Sequence, residues 1–170
     1  GSFYIVTGTA FATHDGDWIR RNIPGDFDAK LMDITSSRAV LALMGPRSRD
    51  LLSKLTRSDL SNAAFPFGSA RQITFLGSGA QALALRMTYV GELGWELHIP
   101  MESAIAVYDA LLAAGEEFGL VNAGYRAIES LRLEKGYRLW AADIGPDYTP
   151  LEAGLGFAVK LGRDTPFLGR

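Results

Sequence analysis

The chain has 170 residues, 48% of them hydrophobic and 21% charged, which suits one globular domain with its own core. Lys and Arg number 17 against 19 Asp and Glu, a net charge of −2, so there is no basic footprint for nucleic acid or an anionic membrane. No apolar run reaches the roughly 18 to 20 residues that span a bilayer, and the absence of cysteine excludes disulfides, thiol nucleophiles and cysteine metal sites. Taken in chain order, residues 3–7 (FYIVT) read as a strand. Residues 14–24 (HDGDWIRRNIP) read as a short helix that must stop near Pro24, with Asp15 as its cap. KLMDIT (30–35) and RAVLALM (38–44) read as two strands joined by a tight turn. GPRSRDLLSKLT opens a helix with Pro46 in its first turn and Leu51, Leu52 and Leu55 as its buried stripe.

Three antiparallel strands follow: ARQITFLG, AQALALRMTYV and WELHIP. Gly77-Ser78-Gly79-Ala80-Gln81-Ala82 matches the dinucleotide pattern G-x-G-x-x-A, but the residues after it alternate like a strand, so it reads as a hairpin turn. SAIAVYDALLAAG is the clearest helix: Ala104, Val107, Tyr108, Leu111 and Leu112 recur at helical spacing, and Gly115 or Gly119 ends it. A last helix runs near GYRAIESLRLEKGY, with Ile128 and Leu131 on one side and a surface ladder of Arg126, Glu129 and Arg132. Strands followed by a helix, twice over, give an α+β protein with the look of an internal duplication. Gly1-Ser2 reads as a cleavage scar, and the chain as a stretch of something longer.

One carboxylate calls for an explanation. Glu96 sits inside a strand otherwise built for burial, next to Trp95 and seven residues after Tyr89. It reads either as a solvent-facing strand residue or as an acceptor of two parallel N–H bonds from a flat heterocycle, with Tyr89 or Trp95 as an aromatic wall. His98 shares its face by the two-residue period, but two ligands do not make a metal site, and His98 is expected to be exposed. His14, in HDGD, lacks the glycine and bidentate glutamate of a calcium loop.

Four blocks together resemble the folate-binding domain of the aminomethyltransferase family, the T-protein of glycine cleavage and its relatives. They are YVGELGWELHIP, NAGYRAIESLRLEKGYRLW, AADI and TPLEAGLGFAVKL, and they fill most of residues 86–161. With VTGTAFATHD, their wording is most similar to the branch fused behind a flavin domain, the dimethylglycine and sarcosine dehydrogenases. The resemblance implies an α+β fold of two interleaved βαβ-type halves around a channel, incomplete here at both ends and without the family's C-terminal barrel. It implies that Tyr89 and Glu96 reach the pterin of tetrahydrofolate, with Tyr137 as a second aromatic wall. Arg132, Glu134, Trp140 and Asp143 occupy shared positions of lower rank. The family's key aspartate would lie upstream of residue 1, so no catalytic residue is named. Ile128 stands where T-proteins place an arginine for the anionic folate tail.

The function so implied is the capture of a one-carbon unit from an N-methyl amine as 5,10-methylenetetrahydrofolate. FAD would sit on a separate, N-terminal flavin domain of the parent chain. The location would be the cytoplasm, or the mitochondrial matrix in a eukaryote. Two alternatives share the blocks: a regulatory domain like the pyruvate dehydrogenase phosphatase regulatory subunit, and the T-protein itself.

Overall fold

Residues 1–170 are all described by a computed structural model, and they form two compact units, Gly1–Arg38 and Ala39–Arg170. The α+β class read from the sequence is the class observed.

In the first unit, α1 (Ala12–Asn22) follows a single 3₁₀ turn, and no side chain of either is buried. Asp15 is not the cap. The N-cap position belongs to Phe11, and Asp15 instead accepts from the Thr7 hydroxyl and pairs with His14 Nδ1 at 2.8 Å. The strand expected over residues 3–7 is absent, as is the one over residues 30–35. Their apolar side chains, Phe3 to Val6 and Met32, stand exposed. Alternating hydrophobicity makes a strand only where a neighbouring edge takes its N–H and C=O groups, and neither segment pairs with one.

The second unit is built on a four-stranded sheet of order β1-β4-β3-β2, with β1 at Arg38–Met44, β2 at Ala70–Thr74, β3 at Gln81–Leu85 and β4 at Gly94–Pro100. β2, β3 and β4 run antiparallel, in the register Ile73↔Ala82 and Leu83↔His98. The glycine-rich stretch is the hairpin turn expected: Phe75 N–H donates to Ala80 O at 2.8 Å, and Gly77 and Gly79 take the positive φ such a turn needs. β3 stops at Leu85, short of the strand expected to continue to residue 90.

Helix α2 (Ser48–Leu55) seals one side of this unit with Leu51 and Leu52, and α3 (Ala104–Gly115) contributes Val107 and Leu111. After α3 a 3₁₀ turn leads to Gly119, which takes the left-handed conformation. β4 is covered on both faces. Trp95, Leu97 and Ile99 alternate with Glu96 and His98, and all but Glu96 are buried. His98 is therefore not the exposed residue expected, being 2% accessible. Trp95 meets Phe65 edge-on at 6.1 Å inside the core, so it is no wall for a ligand beside Glu96.

Candidate functional site

The segment from Tyr89 to Glu96 owes its shape to two glycines with different duties. Gly91 has φ +75°, a conformation that a side chain resists. Gly94, at the start of β4, is fixed by proximity: a Cβ there would lie 2.7 Å from the Leu43 carbonyl oxygen and 3.1 Å from Met44 Cα. Gly45 N–H and the Ser48 hydroxyl both donate to Leu93 O, at 2.8 and 3.0 Å, and tie the end of β1 and the start of α2 to this turn. Gly94→Ala must push backbone away from backbone, and should cost about 1–3 kcal/mol as overpacking does. Urea denaturation followed by circular dichroism measures it.

β1 and this turn also contribute to a cavity. β1 (residues 40–44), Tyr89, Glu96, Leu111 and Leu112 of α3, and Ile128 and Leu131 of α4 (Tyr125–Glu134) line a partly open cavity of about 560 Å³, within the ~300–1,000 Å³ usual for small-molecule sites. Most of its lining is aliphatic. Asn122 Nδ2 donates to Tyr108 Oη at 2.7 Å, so these two polar groups satisfy each other. Glu96, with a side chain 27% accessible, places a carboxylate in this wall, and His98 Nε2 stands 3.6 Å behind it.

Tyr89 also lines this cavity. Its hydroxyl donates to Arg138 O at 3.0 Å, and burial raises its pKa above the ordinary tyrosine value. Tyr137 stacks on Tyr89 at 6.1 Å and 20°; it backs that ring rather than lining the cavity. Of the three candidate binding residues, the structure thus brings Tyr89 and Glu96 to the lining of one cavity and leaves Tyr137 off that lining, stacked on Tyr89.

The turn after α4 explains how Tyr137 gets there. Gly136 takes φ +71° and reverses the chain, and Tyr137 N–H donates to Arg132 O at 2.9 Å. Arg132 is not on a surface ladder. It is 1% accessible, and its guanidinium binds the Glu129 carboxylate, Asp143 and, at 2.7 Å, Tyr137 O. These partners hold its pKa above the ordinary arginine value. Arg132 and Asp143 therefore fasten the Tyr137 turn. Glu134 and Trp140 are exposed and are not part of this cavity's lining.

Asp143 titrates below the usual carboxylate range, chiefly because Leu139 N–H donates to it and then because of Arg132. A depressed folded pKa adds stability above the unfolded value near 4, and that stability is lost as pH falls through the lower folded value. Asp143→Asn should remove this dependence, so thermal melts between pH 5 and 3 should fall less steeply in the variant.

Sequence reasoning missed the β1 wall, the contribution of α3 and the Tyr108–Asn122 pair. An aliphatic strand carries no chemical signature, and only the spatial neighbourhood of Glu96 identifies it.

Comparison with known proteins places the chain in a family. Residues 1–163 match the family described as GCVT N-terminal domain. The chain belongs to this family. Similar relatives carry several names. Sarcosine dehydrogenase of Mus musculus is 48% identical over 99% of this chain and 18% of its own length. Dimethylglycine dehydrogenase of Homo sapiens is 40% identical over the whole chain and 20% of its own length. An aminomethyltransferase of a Geobacillus strain is 37% identical, with 45% of its length covered. The chain thus spans a fifth or less of the dehydrogenases it matches.

Proposed function

We propose that this GCVT-family chain binds tetrahydrofolate in the cavity beside Glu96, as the folate-binding part of a sarcosine- or dimethylglycine-dehydrogenase-like enzyme. One observation carries the reading: a half-buried carboxylate and a tyrosine both line a largely aliphatic cavity. A pterin presents adjacent N–H donors on one edge of a flat ring, which is the partner an ionised carboxylate accepts best. The aliphatic remainder of the lining suits the ring faces. The match to two N-methyl amine dehydrogenases, above 40% identity in the first and at 40% in the second, supports that setting over free-standing T-protein chemistry.

In such an enzyme FAD, held on another part of the protein, supplies the oxidation of the N-methyl amine to an iminium. The residues of this chain would bind and orient the folate: Glu96 fixes the pterin edge, Tyr89 with Tyr137 behind it fixes the ring's lateral position, and the aliphatic lining excludes water. Holding the folate amine beside the iminium carbon favours capture as 5,10-methylenetetrahydrofolate over loss of the carbon to water. Ile128 lies on the lining and offers no charge, so the anionic folate tail would find its partners elsewhere. The mammalian relatives are mitochondrial by name, which supports a mitochondrial location if the chain comes from a eukaryote.

Calorimetric titration with 5-formyltetrahydrofolate and with p-aminobenzoylglutamate, the same tail without the pterin, tests the reading. Saturable binding of the folate alone is expected. Equal binding of both compounds would contradict a pterin seat.

A further inference from the structure

On the opposite face of β4 from Glu96, two arginines share one amide oxygen. Arg49 Nη2 and Arg86 Nη2 both donate to Asn62 Oδ1, at 2.6 and 2.7 Å. Their nitrogens are thereby held within roughly 5 Å of each other, where like charges repel. Each guanidinium carbon also lies 5.9 Å from the centre of the buried Trp95 ring. Neither arginine has a carboxylate partner within ion-pair distance. Arg71, over the Phe65 ring at 5.8 Å, adds a third cation on the same aromatic pair and likewise makes no ion pair.

The donors outnumber the acceptors. Each guanidinium carries five N–H groups, yet the acceptors present are the Asn62 oxygen and, for Arg86 alone, the Phe65 carbonyl. Arg49 Nε, Arg86 Nε and the Trp95 indole Nε1 are all buried with no acceptor. Buried donors are nearly always paired, and several orphaned together mark a missing acceptor. Burial and the charge of Arg49 also lower the pKa of Arg86, as expected of a cation short of a counter-charge. Stacking on indole offsets part of this, but it satisfies no N–H.

We infer that Arg49 and Arg86, stacked at Trp95 and bridged by the exposed Asn62, form an oxyanion-binding site for a carboxylate or phosphate group, separate from the cavity beside Glu96. The guanidinium fork suits a two-oxygen acceptor. Access is from the Asn62 side, since that residue lies at the surface. The anion would come either from a small free acid or from an acidic side chain of another protein segment; both present the same two oxygens.

The indole N–H of Trp95 reports on the site, and those of the half-exposed Trp18 and Trp140 serve as internal controls. Nitrogen–proton NMR spectra would be followed during titration at constant ionic strength with inorganic phosphate, with acetate, and with a blocked Gly-Asp-Gly peptide. Trp95→Phe assigns the signal. The Trp95 resonance is expected to shift saturably, with a Kd on the order of 1 mM, while Trp18 and Trp140 stay in place. Arg49→Met should weaken the response at least about tenfold without altering 5-formyltetrahydrofolate binding. Saturation by phosphate or acetate assigns the site to free anions, and saturation by the peptide alone assigns it to a protein carboxylate. A Trp95 signal unmoved by all three probes, or moved equally in Arg49→Met, would overturn the inference and leave the arginines a purely structural stack.

Discussion

Glu96→Ala should weaken reduced-folate binding by about 10- to 150-fold, the equivalent of the ~1.5–3 kcal/mol that a hydrogen bond to a charged group contributes. The fold should survive. Glu96 is the one partly accessible residue between Trp95 and Ile99, and its buried neighbours Trp95, Leu97 and Ile99 carry the packing of β4. Glu96→Gln is the sharper variant because it keeps the shape and reverses part of the chemistry. It replaces one acceptor oxygen with an NH₂ aimed at the ligand's own donors, so it should bind nearly as poorly as the alanine variant. Calorimetric titration with 5-formyltetrahydrofolate measures both. Wild-type affinity in either, with an unchanged melting temperature, would remove the carboxylate from the site.

Trp95→Ala should produce the largest loss of stability of any single substitution in the second unit, about 3–5 kcal/mol. The ring is fully buried, packs edge-on against the equally buried Phe65, and sits beside both Arg49 and Arg86. Truncation leaves a cavity in the core beside Phe65 and strips the guanidiniums of their aromatic support. Against the ~5–15 kcal/mol total of a typical domain, such a loss leaves little margin. Urea denaturation by circular dichroism measures it, with Trp140→Ala as the control. Trp140 is 48% accessible, and its removal should stay within ~0.5 kcal/mol of wild type. Comparable effects for the two tryptophans would contradict the core described for β4.

Where local chemistry decided structure, the sequence was legible. The helical spacing of Val107, Tyr108 and Leu111, the two-residue period of WELHIP, and the glycines at 77 and 79 each led to the element observed. Residues 3–7 and 30–35 misled because they carry a strand's composition without a paired edge, and pairing is a tertiary property. His98 misled for a related reason. A histidine in a strand reads as the exposed alternate, but both faces of β4 are covered. Glu96 and Tyr89 stood out as a carboxylate and an aromatic in suggestive places, and the structure sets both on the lining of one cavity. The buried role of Arg132 could not be read from spacing, because Asp143, one of its partners, comes from beyond the helix.

A crystal structure of the protein with 5-formyltetrahydrofolate bound would test the central reading most directly. The pterin's amino and ring N–H groups should meet Glu96 within hydrogen-bond distance, with the ring set beside Tyr89 and the tail leaving past Ile128. A folate bound elsewhere, or one in the cavity with its pterin edge turned away from Glu96, would contradict it.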